Sequence, residues 1–444
     1  MTELIVAMDK SSGIGVEGKL PWNIKEELDI FRRKTFGKTI VCGRKTAQSI
    51  PCLQNRDVIC ITRDTTAVKN HNPVIMTSNI ESIPDDSIIA GGSQIYKLAL
   101  LGNNNNRVKK VHISILNDEY KCDTFFDLKW LRGFVIVSES KFEKFTHYTL
   151  ERMESGEHKY LELMGNILEK GESRIGRNGE TISFFKNDIT FDLRQGFPLL
   201  TTKKMFLRGI LEEFLFFLRG DTDSTYLNNK NVRIWEHNTT NEFIKDRGLP
   251  YAEGVMGPMY GYQWRFFNAK YELDSDGRPL SAKGGKDQLE NVIYLIKNDP
   301  LSRRILLTTY NPEQAEQGVL YPCHSITIQF YVSGEYLDMF CYNRSQDVFL
   351  GVPFNIASQA LLLITIAEIT DKKPRFFHMT MGDTHIYAQH LNQVKEQINR
   401  IPYKFPDIIT PKIDSLVDIY NLKPSDYSIK NYFSHPRIKA EMVA

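Results

Sequence analysis

A chain of 444 residues is long enough for two or three domains, each able to bury its own core without disulfides or metal. Charged residues make up 25% and apolar ones 41%, with a formal net charge of +2, which speaks against disorder and against a nucleic-acid scaffold. Any preference for anionic ligands must come from local clusters of Arg and Lys.

The six cysteines (Cys42, Cys52, Cys60, Cys122, Cys323, Cys341) form no CxxC pair and have no His at metal spacing. Neither a metal site nor a disulfide framework is expected, and the thiols fit a reducing, cytoplasmic compartment. Met1, Thr2 and Glu3 do not begin a basic segment running into a long apolar stretch, so no cleaved signal is expected.

Short β-branched runs alternate with helical patterns from the start. Leu4 to Met8, Thr39 to Cys42, Val58 to Thr62, Ile88 to Ala90, Val111 to Leu116 and Phe134 to Ser138 read as strands of an α/β domain. Gly13 to Gly18 matches GxGxxG after a strand, yet Lys19, Leu20, Pro21 and Trp22 extend a loop where a dinucleotide fold would open a helix. A mobile flap is expected there instead. Glu151 to His158 is a charged break without periodicity, and His158 to Lys170 then reads as a helix ending at Gly171. The expected boundaries are a first domain over 1–152, a linker over 153–157 and a second domain over 158–444.

The second domain reads as α+β. Its helices are Phe206 to Leu218, Asp287 to Lys297, Phe354 to Ile369 and Ala388 to Arg400; its strands are Ile305 to Tyr310, Ile326 to Val332 and Tyr336 to Tyr342. Val348 to Ile369 is the most membrane-like stretch, but Pro353, Asn355, Ser358, Gln359 and Glu368 make it read as a buried helix. Asn103 to Asn106 and Asp274 to Gly285 read as solvated connections.

A lone cysteine is ordinarily a small buried hydrophobe. Cys323 stands between Pro322 and His324, with Arg344 and Ser345 downstream and Arg303 and Arg304 upstream, so the surrounding charge points to a nucleophile with a depressed thiol pKa. Glu213 lies on the very apolar helix Phe206 to Leu218, where packing alone leaves a buried acid unexplained. Glu27, beside Glu26 and Asp29, taken alone reads as an ordinary surface acid. Gly43 to Thr46 follows a strand and starts a helical turn whose N–H groups, with Arg44, can meet phosphate. Gly91 and Gly92 allow close backbone approach, or simply a tight turn.

Leu4 to Ala7, Gly13 to Gly18, Leu20 to Asn23, Gly43 to Thr46, Ala90 to Gly92 and Asp123 to Phe125 together resemble dihydrofolate reductase over nearly all of 1–150, with its mixed central sheet. The resemblance implies that Glu27 binds the pterin and promotes ring protonation, supported by Ser114, and that Leu28, Phe31 and Ala7 line the folate site. It implies that Arg56 holds the folate carboxylate, although a surface Arg before a strand is the plain alternative. It implies NADPH as cofactor, held by Ala7, Ile14, Gly15, Gly43, Arg44, Lys45, Thr46, Thr62, Arg63, Gly91, Gly92, Gln94, Ile95 and Tyr96. Ala47 and Gln48 depart from the family's usual aromatic residue and Glu.

Phe197 to Lys204, Gly257 to Gly261, Ser302 to Arg304, Pro322 to His324 and Gly382 to Tyr387 resemble thymidylate synthase from about His158 to Ala444. The resemblance implies that Cys323 attacks dUMP, that 5,10-methylenetetrahydrofolate donates the carbon, and that Glu213, Tyr260 and Asp347 organise proton transfer. It implies dUMP contacts from His324, Arg344, Ser345, Asp347, Asn355, His385 and Tyr387, with Arg303 and Arg304 reaching in from a second copy in a homodimer. The N-terminal phosphate ligand is Arg177 or, as rival, Arg174. Trp235, Asp347, Gly351, Phe354 and Ala444 are implied on the folate side. Val255, Met256, Asn343 and Gln346 differ from common family choices. A folate- or RNA-binding protein that keeps the fold but has lost an activity is the competing class; binding alone does not need Cys323, Glu213 and Glu27 together.

Overall fold

The computed structural model describes residues 1–50, 54–63, 74–102, 107–176 and 178–443. The chain divides into two compact units, one of Met1–Glu154 with Ile401–Tyr403, the other of Ser155–Arg400 with Lys404–Ala444.

Unit 1 runs β1 (Thr2–Met8), β2 (Gly13–Gly15), α1 (Lys25–Thr35), β3 (Thr39–Gly43), α2 (Arg44–Ser49), β4 (Asp57–Ile61), β5 (Val74–Thr77), β6 (Ile88–Ile89), α3 (Ser93–Leu101), β7 (Val108–Leu116), β8 (Thr124–Phe125), β9 (Phe134–Lys141) and β10 (Phe145–Arg152). Its sheet has the order β5-β4-β3-β6-β1-β7-β10-β9. All pairs are parallel except β7 with β10 and β10 with β9, so the sheet is mixed, as expected. Central strands such as Leu4, Ile5 and Val6 are buried on both faces, which is why they read as continuous apolar runs rather than alternation.

The GxGxxG segment opens no helix. Gly13–Gly15 pairs with Thr124–Phe125, and α1 begins only at Lys25. The expected flap is packed at its first glycine: a Cβ on Gly13 would lie 2.5 Å from Cys122 Sγ.

Unit 2 runs α4 (Gly156–Lys170), β11 (Glu172–Gly176), β12 (Gly179–Asp192), α5 (Leu207–Arg219), α6 (Thr225–Asn228), α7 (Asn241–Asp246), α8 (Gly261–Phe266), α9 (Gln288–Asn298), β13 (Leu306–Thr308), β14 (Thr327–Ser333), β15 (Tyr336–Asp347), α10 (Gly351–Ile369), β16 (Lys373–Tyr387) and α11 (Leu391–Gln397). Its six-stranded sheet has the order β11-β12-β16-β15-β14-β13, antiparallel except for β15 with β16. Helix α4 starts inside the expected linker. Its Glu157 is fully buried and accepts hydrogen bonds from the backbone and hydroxyls of Thr201 and Thr202, so the polar break belongs to the second core.

Helix α10 is long and apolar enough to cross a membrane by length and composition. Most of it is buried against β15, β16 and α5, which makes it the central core helix of this unit.

Candidate active sites

In unit 1 the apolar neighbours of α1 carry Glu27 inward, leaving it only 4% exposed. Burial pushes its carboxyl up to about 7, and a hydrogen bond from the Ser114 hydroxyl offsets part of that rise. Ser114 lies opposite Ala7 in the β1–β7 ladder and opposite His147 in the β7–β10 ladder. Its hydroxyl is 3.0 Å from His147 Nδ1. Burial holds His147 down at about 4, so the ring is neutral near pH 7 and its bond to Ser114 is that of an uncharged imidazole. His147 Nε2 and Trp22 Nε1 are buried with no hydrogen-bond partner among the described residues. Leu28, Phe31 and Ala7 are half-buried.

Arg56 is not a loose surface side chain. Its guanidinium donates to the Thr35 hydroxyl at 3.0 Å and to the carbonyls of Gln54 and Arg32 at 2.8 and 2.7 Å, which fixes the fork at the end of α1.

The ends of β3 and β6 meet where Gly43 N–H donates to Gly91 O at 2.7 Å. Gly91 has φ +117°, and a Cβ there would come within 3.2 Å of Tyr96 Oη; one on Gly43 would come within 3.1 Å of Ile95. The N-cap of α3, Gly92, carries no side-chain cap, so its first N–H groups face outward from a cradle that only glycine leaves open. Arg44, Lys45, Arg63 and Gln94 are exposed around it, Thr46 and Thr62 half-buried. A dinucleotide phosphate fits this cradle. Ile14 and Gly15 lie on the β2 ribbon, while Tyr96 is buried with its hydroxyl donating to Ile5 O.

In unit 2 the nucleophile candidate Cys323 precedes β14 and is half-buried. Tyr260 Oη lies 3.3 Å from its Sγ and accepts from its backbone N–H at 3.3 Å. Tyr260 holds φ +41°, a strained backbone that aims the phenol at the thiol. The His324 ring stacks on Tyr260 at 4.3 Å, and burial drives its pKa down to about 3, so it is neutral. Arg344 donates to Pro322 O at 3.2 Å, and the backbone N–H groups of Arg344 and Ser345 both reach Cys323 O.

The thiol does not behave as the sequence suggested. Burial raises its pKa by more than Tyr260 and Arg344 lower it, so the expected depression is absent in the single chain. Desolvation of one sulfur outweighs one nearby guanidinium. Arg303 and Arg304 supply no charge here: both are exposed, and neither guanidinium has a partner among the described residues.

Glu213 sits on α5 with its carboxylate accepting from Trp235 Nε1 at 2.8 Å. Burial pushes it up to about 7, with the indole bond partly offsetting. Trp235 is thus anchored beside Tyr260, 5.7 Å between rings. Asp347 accepts from the N–H groups of Phe349 and Leu350, fixing the turn into α10 that presents Gly351, Phe354 and Asn355. Asp347 pairs with His385 across β15–β16, and His385 Nδ1 is 3.0 Å from Asp383 with Tyr387 edge-on at 5.2 Å. Arg174 is 3.5 Å from Asp383. Arg177 and Ala444 lie outside the described residues.

Residues that motif reading did not assign also line this site. Gln346 is buried and bridges Asn355 to Ser345 O. Gln359 and Asn343 hold the Ser325 backbone and hydroxyl behind His324. Gln346 sits between two motif residues, and that adjacency was the available signal; Gln359, inside a long apolar run, offered only its polarity.

Comparison with known proteins bears on both sites. A dihydrofolate reductase family model matches residues 1–154 and a thymidylate synthase family model matches 158–444. Proteins called bifunctional dihydrofolate reductase-thymidylate synthase from Paramecium tetraurelia, Zea mays and Leishmania major are 35%, 32% and 33% identical, each over 99% of this chain and over 98%, 96% and 94% of their own length. The chain belongs to the bifunctional dihydrofolate reductase-thymidylate synthase family. Membership covers both clusters: the Glu27–Ser114–His147 group and the glycine cradle fall in the reductase part, and the Cys323–Tyr260–Glu213 group in the synthase part. NADPH and 5,10-methylenetetrahydrofolate are the cofactor and cosubstrate of these two activities.

Proposed function

We propose that residues 158–444 convert dUMP to dTMP with 5,10-methylenetetrahydrofolate, and that residues 1–152 reduce the dihydrofolate released, using NADPH. The observation that carries this reading is the pairing of Cys323 Sγ with Tyr260 Oη beside a buried Glu213, whose carboxyl burial pushes up to about 7. A binding protein has no use for that arrangement.

Cys323 adds as thiolate to the pyrimidine double bond, making the neighbouring carbon nucleophilic toward the folate's one-carbon unit. Arg344 and Ser345 hold the phosphate, and His385 and Tyr387 the ribose. Asn355 takes the pyrimidine edge. Glu213, near neutrality in pKa, shuttles the protons with Tyr260, whose phenol burial keeps neutral. In the reductase part NADPH supplies a hydride. Glu27 holds the pterin and, with its carboxyl pushed up to about 7 by burial, promotes delivery of the proton to the ring. Arg56, fixed by Thr35, clamps the folate carboxylate.

Two copies form the working synthase. The sheet supports this: Ile328, Phe330, Met339 and Cys341 are buried on one face, while Gln329, Tyr331, Phe340 and His378 are exposed on the other. An antiparallel face bearing two large exposed aromatics is built to be covered. The exposed Arg303 and Arg304 of the second copy then complete the phosphate site. The five cysteines among the described residues are all free, which supports work in the reducing cytoplasm.

Purified protein should turn over both substrates, and a fluorinated dUMP analogue with methylenetetrahydrofolate should trap a covalent adduct at Cys323, read by peptide mass spectrometry. Ligand binding without either turnover would hand the case to the binding-protein class.

A further inference from the structure

Gln346 is 2% exposed, and its side-chain amide has three partners. Nε2 lies 2.9 Å from Ser345 O and 3.4 Å from Cys323 O, while Oε1 lies 2.8 Å from Asn355 Nδ2. Backbone carbonyls only accept hydrogen bonds, so the nitrogen of Gln346 must face them and its oxygen must face Asn355. That oxygen in turn forces Asn355 to present its NH2. One of the two Asn355 hydrogens is consumed. The other remains, together with Oδ1, to which no described residue donates.

We propose that Gln346 is a specificity-determining positioning residue: by fixing which end of the Asn355 amide faces the base, it selects a 4-oxo over a 4-amino pyrimidine nucleotide. The proposal rests on the assignment of Asn355 to the pyrimidine edge made above. A donor beside an acceptor matches uracil, which offers an acceptor at O4 and a donor at N3–H. Cytosine reverses both, with an amino donor at C4 and a bare N3. If the Asn355 amide turned over, it would match cytosine but set its oxygen against Gln346 Oε1, leaving two buried acceptors face to face. The two carbonyls therefore write the polarity, Gln346 transmits it, and Asn355 displays it. Because one of those carbonyls belongs to Cys323, the base is read relative to the nucleophile's own backbone.

The test measures dUMP and dCMP affinity by calorimetry, with KM and kcat for dUMP, on full-length variants. Gln346→Met keeps the volume but removes both polar ends. It should cut the dUMP-to-dCMP affinity ratio by about 10- to 100-fold, with KM for dUMP changing more than kcat. Gln346→Ala repeats the measurement with a smaller side chain. In Gln346→Glu the buried carboxyl is protonated and can still donate to a carbonyl while accepting from Asn355, so the ratio should stay within about threefold of wild type. Equal loss of both nucleotides in Gln346→Met would reduce Gln346 to packing and overturn the proposal. So would an unchanged ratio there alongside a collapsed one in Asn355→Ala. If Asn355→Ala itself leaves the ratio intact, the assignment of Asn355 to the base fails and takes the proposal with it.

Discussion

The two buried acids, Glu27 in one unit and Glu213 in the other, are both pushed to about 7 by loss of water. Their surroundings diverge. Around Glu27 the neighbouring groups are held by elements of the same unit: Ser114 on β7, Arg56 pinned at the end of α1, and a glycine cradle at two strand ends. Around Glu213 the thiol, phenol and indole are assembled, but the thiol sits above its ordinary pKa and the Arg303–Arg304 pair is exposed. Burial alone can prepare a proton carrier, whereas a thiolate needs positive charge, and one copy of the chain leaves that charge short.

Removing each centre in turn breaks the comparison most sharply. Cys323→Ala should abolish dTMP formation and leave dihydrofolate reduction intact, read by separate assays on one preparation. Glu27→Ala should do the converse, lowering reductase kcat/KM by about 10²- to 10⁴-fold with dTMP formation unchanged. The unequal completeness of the sites is probed by Arg304→Ala, which should raise KM for dUMP by about 10- to 100-fold without touching the reductase. Mixing Arg304→Ala with Cys323→Ala chains should restore dTMP formation above either alone; no restoration would show that each chain uses its own arginines.

The smallest effect tests the shared feature. Both acids have folded pKa values raised above the ordinary 4.5, so the folded state holds more protons than the unfolded one between about 4.5 and 7. Stability from these groups is fully present below that window and is lost as pH rises through the folded value. Glu27→Gln and Glu213→Gln should therefore each stabilise the protein more at pH 8 than at pH 5, by on the order of 2 kcal/mol, measured by denaturant unfolding.

Much of this was legible beforehand where local pattern decides. The parallel strands of unit 1 announce themselves because both faces are buried. Helix α10 was read from Phe354, three residues late, because Pro353 looks like a boundary although a first helical turn tolerates it. The strands β10, β12 and β16 went unread. In β12, Lys186 takes φ +63° and drops out of the pairing between Phe185 and Asn187 without shifting the register; β16 carries Gly382 and Asp383, residues that usually mark turns. Site motifs gave Cys323, Arg344 and Glu213. They could not give the sign of the thiol shift, which depends on desolvation, nor the orientation of Gln346, which depends on the carbonyls of Cys323, ahead of β14, and Ser345, on β15.

Strand β16 also says where this chain can change its length. It pairs with β12 on one side from Phe376 through Tyr387, and with β15 on the other from Lys373 through His385. Adding or deleting one residue there would exchange inward and outward side chains along the ladder, withdraw His385 from Asp347 and move Tyr387 off Thr181 together. The stretch from Asp274 to Gly285 belongs to no sheet ladder, being held by a turn, the Ala252 N–H on Gly277 O and the Arg278–Asp223 ion pair, and faces no such demand. Insertions that distinguish one species' enzyme from another's should accumulate in the latter and be absent from the former.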